Sequence, residues 1–173
     1  MIVYYKIFLT HLGEFCLFST EDGICALSFP DFDSKRLIPI SKMYCLNHIR
    51  RHLGKFSLKE TDNLGPITAQ ISAYLRGKRR SLSAALNPIG TPFQKVVWQA
   101  IRKIPYGETI SYKRLAMMVN CRGYRAVAKA CSANPLPLFI PCHRVIGERG
   151  LGGFSPGLKW KSLLLKLEDK DIR

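Results

Sequence analysis

The sequence predicts an α+β protein: an N-terminal α/β domain with a small antiparallel sheet, then a mostly helical domain with a helix-turn-helix. Three observations lead to this fold class. Stretches rich in β-branched and aromatic residues fill the first thirty positions, which is typical of strands. Helical spacing of apolar residues dominates after residue 90. Between them, Asn87-Pro88-Ile89-Gly90 interrupts both patterns, so we place the domains at 1–88 and 89–173.

In the first domain we expect antiparallel strands at 2–9, 14–19 and 24–29. The second and third are joined by Glu21-Asp22-Gly23, a good hairpin signal. The segment 34–53 is predicted to be a loop followed by a helix. A clearer helix begins near Thr61 and continues to Gly77, with apolar residues at three- and four-residue intervals. A further strand is predicted at 82–86.

The second domain is predicted to be helical. Thr91 caps a helix with Pro92 at its first position, and Pro105 ends it after Ile104. Ser111 caps a short helix, and residues 124–132 form another after a turn at Gly123. Two short helices joined by such a turn are typical of a helix-turn-helix, although any helical domain has similar corners. A final helix is predicted from 158 to 170.

The charge is strongly positive, with 27 Lys and Arg against 12 Asp and Glu, or +15. Residues 91–173 contain 15 of those basic residues and only 5 acidic ones. A basic excess concentrated in one half of the chain favours a polyanionic partner. It favours nucleic acid over an anionic membrane. A basic surface that serves only solubility would explain the positive sign of the net charge, but not its concentration in one half of the chain.

Location and metal content are predicted from what the sequence lacks. No apolar run is long enough for a membrane span, and the first residues do not resemble a signal peptide. The six cysteines are scattered without CxxC spacing, which argues against a zinc cluster or disulfide framework and favours a reducing compartment. We therefore expect a cytoplasmic protein without a membrane partner or a metal site.

The segment 134–145 is the strongest functional candidate. Three prolines restrict its backbone and place Cys142 beside His143 and Arg144, two groups able to favour a thiolate. Neighbouring residues of a strand point to opposite faces, so Cys142 and His143 cooperate only if the chain turns at Pro141. The alternative is a buried structural cysteine, the usual role of a lone Cys.

An imidazole base needs a partner that fixes its tautomer, and Glu108, Glu148 and Glu168 are candidates. From spacing alone, Glu168 is better interpreted as a helix-end carboxylate in water. Arg125 and the small residues after it suit a helix that approaches a groove closely. A reactive cysteine next to a helix-turn-helix in a basic half indicates a nucleophile brought to DNA, with its target base rotated out.

These motifs resemble one known family. The run 141–146, Pro-Cys-His-Arg-Val-Ile, closely resembles the active-site motif of the O6-alkylguanine-DNA alkyltransferases, also called methylated-DNA–protein-cysteine methyltransferases. The resemblance extends over 90–168 through Gly-Thr-Pro-Phe-Gln at 90–94, Ile-Pro-Tyr-Gly-Glu-Thr at 104–109 and Asn134-Pro135. Residues 1–90 match only in pattern.

The resemblance implies a DNA repair enzyme that moves a methyl or alkyl group irreversibly from guanine O6 to Cys142, with thymine O4 as a further candidate. His143 would act as base through a water, oriented by Glu168, and Asn134 would brace the turn. Further implied residues contact DNA or line the guanine pocket. The DNA contacts are Tyr112, Arg125, Ala126, Lys129 and Ser111, and the pocket residues are Val145, Phe154, Ser155 and Gly153.

The implied partner is double-stranded DNA containing O6-alkylguanine, bound by a monomer that needs no cofactor because the thiolate is consumed. Within the resemblance, this chain departs at Lys129, at Cys131, at Phe154 where Tyr is usual, and in a shortened loop after Ile146. Some relatives bind zinc through N-terminal Cys and His residues, for which we find no convincing equivalent here.

Other function classes fit less well. A non-enzymatic sensor of alkylated DNA would carry another residue in place of Cys142. A transcriptional regulator lacks room for a sensor domain, and a Cys-His hydrolase leaves the basic surface unexplained.

Overall fold

The computed structural model describes residues 1–31 and 40–169. The chain divides into two compact units, Met1–Ile89 and Gly90–Arg173, which are described separately below. Within the described ranges, no helix is long and apolar enough to cross a membrane.

The first unit is built on a four-stranded sheet of order β3-β2-β1-β4. Its strands are β1 (Ile2–Thr10), β2 (Gly13–Thr20), β3 (Gly23–Ser28) and β4 (Ser57–Glu60). The three predicted strands are confirmed and pair antiparallel. The fourth was missed and runs parallel to β1, so the sheet is mixed. All four β4 side chains are exposed, so its sequence lacks the alternation of apolar and polar residues that would predict a strand.

Two helices complete the first unit, α1 (Ile40–Leu53) and α2 (Gly65–Leu75). Both lie within predicted helical regions, and residues 32–39, where a loop was expected, lie outside the described residues. The strand predicted at 82–86 is wrong. Only a single bridge between Ile24 and Leu86 forms, because the chain touches the sheet edge through two hydrogen bonds and then leaves it.

A buried cluster joins α1 to one face of this sheet. It includes three free cysteines, Cys16, Cys25 and Cys45, together with Val3 and Phe18. Burial raises the pKa of Cys16 and of Cys25 to about 12, so these thiols stay protonated. They serve as small apolar side chains here.

The second unit is mostly helical, as predicted. Its elements in chain order are α3 (Pro92–Ile101), β5 (Ile110–Ser111), α4 (Tyr112–Met118), α5 (Tyr124–Ser132), a 3-10 turn (Cys142–Arg144), β6 (Val145–Ile146) and α6 (Leu158–Glu168). Strands β5 and β6 form a short parallel pair that was not predicted. This pair joins the start of α4 to the residues that follow the 3-10 turn.

Local signals explain where the helices of this unit begin. Thr91 forms a capping box with Gln94, with Pro92 at the first position, as the sequence predicts. Ser111 accepts a hydrogen bond from the Arg114 backbone and so caps α4. Helix α3 ends earlier than expected, at Ile101, because the next residues tighten into a turn before Pro105.

Candidate active site

The 3-10 turn places Cys142 at the end of the proline-rich segment. The Arg144 backbone donates to the Pro141 carbonyl (3.0 Å), so the chain turns at Pro141, which is the condition for Cys142 and His143 to cooperate. The Cys142 side chain is buried, with 5% of the residue exposed. The Cys142 thiol therefore lies beneath the protein surface.

Asn134 braces this segment from the end of α5. Its side-chain amide donates to the Ile140 carbonyl (2.8 Å) and to the Cys142 sulfur (3.0 Å). Its side-chain oxygen accepts from the Leu136 backbone (3.0 Å). One buried side chain thus holds both arms of the loop and contacts the thiol directly.

His143 is fully buried and paired with Glu168. Its Nε2 lies 2.5 Å from Glu168 Oε1, while its Nδ1 is buried and has no hydrogen-bond partner within the part of the chain that the structure describes. Burial lowers the pKa of His143, and Glu168 opposes this shift. The neutral ring therefore donates from Nε2 to the carboxylate and keeps the Nδ1 lone pair free to accept a proton.

Of the three candidate carboxylates, the structure brings only Glu168 to His143. Glu108 and Glu148 are exposed. The interpretation of Glu168 as a helix-end carboxylate in water is wrong, since only 4% of the residue is exposed. The turn of chain between α3 and β5 contributes as well, because the Gly107 backbone donates to Glu168 Oε2 (3.0 Å).

Arg144 is also directed at Glu168. It donates from Nε to Oε2 (2.9 Å), from Nη2 to Oε1 (3.2 Å) and from Nη1 to the Ile104 carbonyl (2.7 Å). Its guanidinium lies over the Tyr106 ring, 5.6 Å from the centroid. These contacts direct the Arg144 guanidinium at Glu168, whose carboxylate it orients.

The expectation that Arg144 favours a Cys142 thiolate is wrong for this reason. Burial raises the pKa of Cys142 to about 11, an effect opposed by the Asn134 hydrogen bond and by the charge of Lys161. Cys142 is therefore a thiol at neutral pH and needs a base to become nucleophilic.

Lys161 of α6 lies buried beside the site, and sequence reasoning missed it. Its ammonium donates to the Val145 carbonyl (2.6 Å) and to the Gly153 carbonyl (3.0 Å). Burial lowers the pKa of Lys161, which Cys142 and Cys131 oppose. The available signal was the spacing along α6. Lys161 precedes the apolar Leu164 by three residues and Glu168 by seven, so all three lie on one helical face.

Three predicted pocket residues, Val145, Gly153 and Phe154, contact these groups. The Tyr112 hydroxyl donates to the Gly153 carbonyl (3.3 Å), and the Ser155 hydroxyl donates to the Ser132 carbonyl. Phe154 meets the His143 ring edge-on at 6.2 Å between centroids. Val145 is fully buried, whereas Gly153 and Ser155 are exposed. Burial raises the pKa of Tyr112 to about 12, so its hydroxyl stays a donor.

The remaining predicted residues lie on α4 and α5. Arg125, Ala126 and Lys129 are exposed on α5, while Val127 and Cys131 face the interior. The exposed side therefore carries two cations and a small residue between them. Ser111 is half-buried at the start of α4, where it caps the helix.

Beside these helices runs a groove of about 1050 Å³. We call it the basic groove. Its walls come from α4, the α4–α5 turn, the start of α5 and the loop after β6, and they include Tyr112, Lys113, Met117, Arg122, Tyr124 and Arg149.

Comparison with known proteins extends these observations to the whole chain. Residues 3–88 match the family model described as 6-O-methylguanine DNA methyltransferase, ribonuclease-like domain, and residues 92–170 match its DNA binding domain. A methylated-DNA–protein-cysteine methyltransferase of Methanosarcina barkeri is 39% identical, over 99% of this chain and 100% of that protein. The chain belongs to the 6-O-methylguanine DNA methyltransferase family.

Other relatives of this family are similar to the chain in sequence or in fold. The inducible methylated-DNA–protein-cysteine methyltransferase of Bacillus subtilis is 42% identical, over 70% of this chain and 69% of that protein. The crystal structure of Mycobacterium tuberculosis O6-methylguanine methyltransferase matches with a TM-score of 0.76 at 30% identity, covering 99% of this chain and 95% of that one. A structure of the M. tuberculosis protein OGT in complex with DNA matches with a TM-score of 0.74 at 28% identity, covering 96% and 93%.

The described residues of this chain hold no cluster of three or more His, Cys, Asp or Glu side chains suited to a metal. Arg144 was seen in the motif but not recognised as a partner of Glu168. The sequence carries only a weak signal for this pairing, because two adjacent basic residues do not show which side chain is buried.

Proposed function

We propose that this protein repairs DNA by a single, irreversible transfer of a methyl or larger alkyl group from guanine O6 to Cys142, with thymine O4 as a further candidate substrate. The observation that carries the proposal is the state of His143. Its Nε2 is occupied by Glu168 and its Nδ1 is buried without a hydrogen-bond partner among the described residues, next in the chain to a protonated thiol. Family membership supports the same chemistry.

In the transfer, His143 Nδ1 takes the Cys142 proton, directly or through a water, as the sulfur attacks the alkyl carbon. The S–C bond forms while the C–O6 bond breaks, and guanine leaves with the electron pair and is then protonated. Glu168 stabilises the imidazolium that forms. Asn134 positions the sulfur and donates to it as negative charge develops. No cofactor enters the reaction, and the thioether that remains ends the protein's activity.

The DNA partner is a duplex whose damaged nucleotide is rotated out, because a buried thiol cannot reach a stacked base. Arg125 fills the space that the nucleotide leaves, and Tyr112 assists its rotation. The small Ala126 allows close approach of α5 to the minor groove, and Lys129 and Ser111 add phosphate contacts. Val145, Gly153, Phe154 and Ser155 line the guanine pocket. The exposure of Arg125 and Lys129 supports this arrangement.

We further propose two domains, 1–88 and 89–173, of which the second binds DNA as a helix-turn-helix domain and accepts the alkyl group. The protein acts as a monomer in the cytoplasm. The six free cysteines support a reducing compartment, where unpaired thiols persist.

The test is to mix the protein with duplex DNA containing O6-methylguanine and measure its intact mass. We expect a gain of about 14 Da, one methylene, on at most one site per molecule, with peptide mapping that locates it at Cys142. A Cys142→Ser variant is the matched control and gains nothing. Repeated turnover, or no transfer by the wild type, would refute the proposal.

A further inference from the structure

We propose that Tyr106 is a positioning residue for the transfer: it holds the Arg144 guanidinium against Glu168, and so fixes the orientation of His143. Tyr106 lies in the turn of residues 104–107, which we call the clamp turn. The inference rests on the proposed function and adds to it a residue that acts through Arg144 rather than on the reacting atoms.

The clamp turn has a hydrogen-bonded backbone. The Glu108 backbone donates to the Pro105 carbonyl (3.2 Å), and Gly107 has a φ of 80°. A positive φ at the third of four residues is what a type II turn requires, and glycine adopts it without strain. The turn therefore presents the Tyr106 side chain and the Gly107 N–H in fixed directions.

The backbone of the clamp turn contacts both members of the Arg144–Glu168 pair. The Ile104 carbonyl accepts from Arg144 Nη1 (2.7 Å), and the Gly107 N–H donates to Glu168 Oε2 (3.0 Å). Each contact is a single hydrogen bond, about which the group that it holds can still tilt. A further contact is needed to fix the guanidinium.

The Tyr106 side chain supplies that contact. The Arg144 guanidinium lies over its ring, 5.6 Å from the centroid. The attraction acts through the negative face of the ring, so it adds to the hydrogen bonds with Glu168 and Ile104 rather than replacing them. At the far end of the ring, the Tyr106 hydroxyl donates to the Leu167 carbonyl (3.3 Å), one residue before Glu168. One side chain thus ties the guanidinium to the end of α6 that carries the carboxylate.

The position of the guanidinium matters because Glu168 Oε1 accepts hydrogen bonds from two residues. Arg144 Nη2 lies 3.2 Å from this oxygen and His143 Nε2 lies 2.5 Å from it. A guanidinium that shifts therefore moves the oxygen that holds the imidazole. Misplacing a catalytic group by about 1 Å can slow a reaction by about a hundredfold.

The first test measures single-turnover transfer from free O6-methylguanine over a range of its concentrations. Tyr106→Leu removes the ring and should lower the maximal rate by about tenfold or more. The half-saturating concentration should not change, because the substitution acts on the imidazole and not on the guanine pocket. Tyr106→Phe keeps the ring and should retain most of the rate. Tyr44→Leu, which removes an exposed ring from α1, is the matched control and should change neither quantity.

A third variant separates positioning from packing. Tyr106→pentafluorophenylalanine keeps the shape of the Phe ring but removes the negative charge of its face. It should unfold at the same urea concentration as Tyr106→Phe and yet transfer more slowly. This comparison holds even if Tyr106→Leu does not fold.

The second test reads the contact between His143 and Glu168 by proton NMR. A proton in a short hydrogen bond to a charged acceptor resonates at low field, so the Nε2 proton of His143 should give such a signal in the wild type. The signal should move upfield in Tyr106→Leu and in the pentafluorophenylalanine variant, and stay in place in Tyr106→Phe. A loss of stability alone would not move it.

Two results would overturn the inference. One is a wild-type maximal rate with an unmoved Nε2 signal in the variants that alter the ring face, and the other is a loss confined to the half-saturating concentration. The NMR test does not depend on transfer. If wild-type Cys142 accepts no alkyl group while the signal moves as expected, the proposed function fails and the positioning of His143 by Tyr106 stands.

Discussion

Arg144 donates two hydrogen bonds to Glu168, and one of the two oxygens that it binds, Oε1, also accepts from His143. All three residues are buried, and the described structure adds a backbone donor from Gly107. The carboxylate is therefore held from several directions. Its orientation sets which nitrogen of His143 carries the proton.

From this relationship we expect Arg144→Met to impair both stability and transfer. Removing one partner of a buried ion pair costs about 3–5 kcal/mol in the free energy of unfolding. Arg144→Lys keeps the charge but loses the two-pronged geometry, so it should retain more stability yet lose about tenfold or more in the single-turnover transfer rate.

These effects are measured by urea unfolding and by transfer from the free base O6-methylguanine. Lys166→Met, an exposed cation on α6, is the matched control and should change neither quantity. If Arg144→Lys kept the wild-type transfer rate, the paired hydrogen bonds of the Arg144 guanidinium would not be needed to position His143.

Asn134→Ala is expected to destabilise the protein and slow the transfer. The change leaves the Leu136 backbone N–H buried without its side-chain acceptor, at about 1–3 kcal/mol. The Ile140 carbonyl loses the Asn134 donor but keeps the backbone hydrogen bond from Cys142 (2.7 Å). The change also removes a hydrogen bond that lowers the pKa of Cys142, so that pKa should rise further. Urea unfolding and the rate of Cys142 alkylation by iodoacetamide test the two effects.

Gln99→Ala, an exposed amide on α3, is the matched control for Asn134→Ala. If both variants unfold at the same urea concentration, Asn134 does not brace the segment.

His48 should make the first unit sensitive to acid. Its ring contacts the Ile89 carbonyl at 2.6 Å, and burial lowers its pKa. A depressed pKa means that folding favours the neutral ring. The stability it contributes is full above the unfolded pKa of about 6.5 and is lost as pH falls through the lower folded value.

Urea unfolding at a series of pH values below about 6.5 measures this loss. His48→Gln keeps a side-chain N–H donor without a titrating ring, so its loss of stability in acid should be smaller. His11→Gln removes an exposed ring and should follow the wild type. An identical acid profile for His48→Gln would contradict the assignment.

The parts of the fold and site that could be predicted carry local signals. Thr91-Pro92 and Ser111 mark helix starts through chemistry within three or four residues, and both caps form. Cys142 and His143 were found together because they are adjacent and Pro141 restricts the backbone before them. The turn that joins them follows from that restriction.

The rest depends on contacts that sequence spacing does not show. Strand β4 pairs through its backbone alone, so its exposed side chains gave no pattern. Glu168 looked like a solvated helix end because the chain between α3 and β5, which covers it, lies about sixty residues earlier. The same tertiary burial raises the pKa of the Cys142 thiol, which the basic neighbours in the sequence could not show.

The pH dependence of transfer should reveal His143 as the base. In the wild type the neutral ring is available throughout the neutral range, because burial lowers its pKa. The transfer rate should therefore be nearly constant from about pH 7 to about pH 9 and fall only below the usual histidine pKa of about 6.5.

His143→Gln should behave differently, because its thiol must ionise without help. The pKa of Cys142 is raised to about 11, so the thiolate fraction, and with it the rate, should climb about tenfold per pH unit toward that value. Single-turnover transfer from free O6-methylguanine measures both profiles, with His11→Gln as the control that keeps the flat one. A flat profile for His143→Gln would mean that Cys142 ionises independently of the His143 ring, and the assignment of His143 as the base would then be wrong.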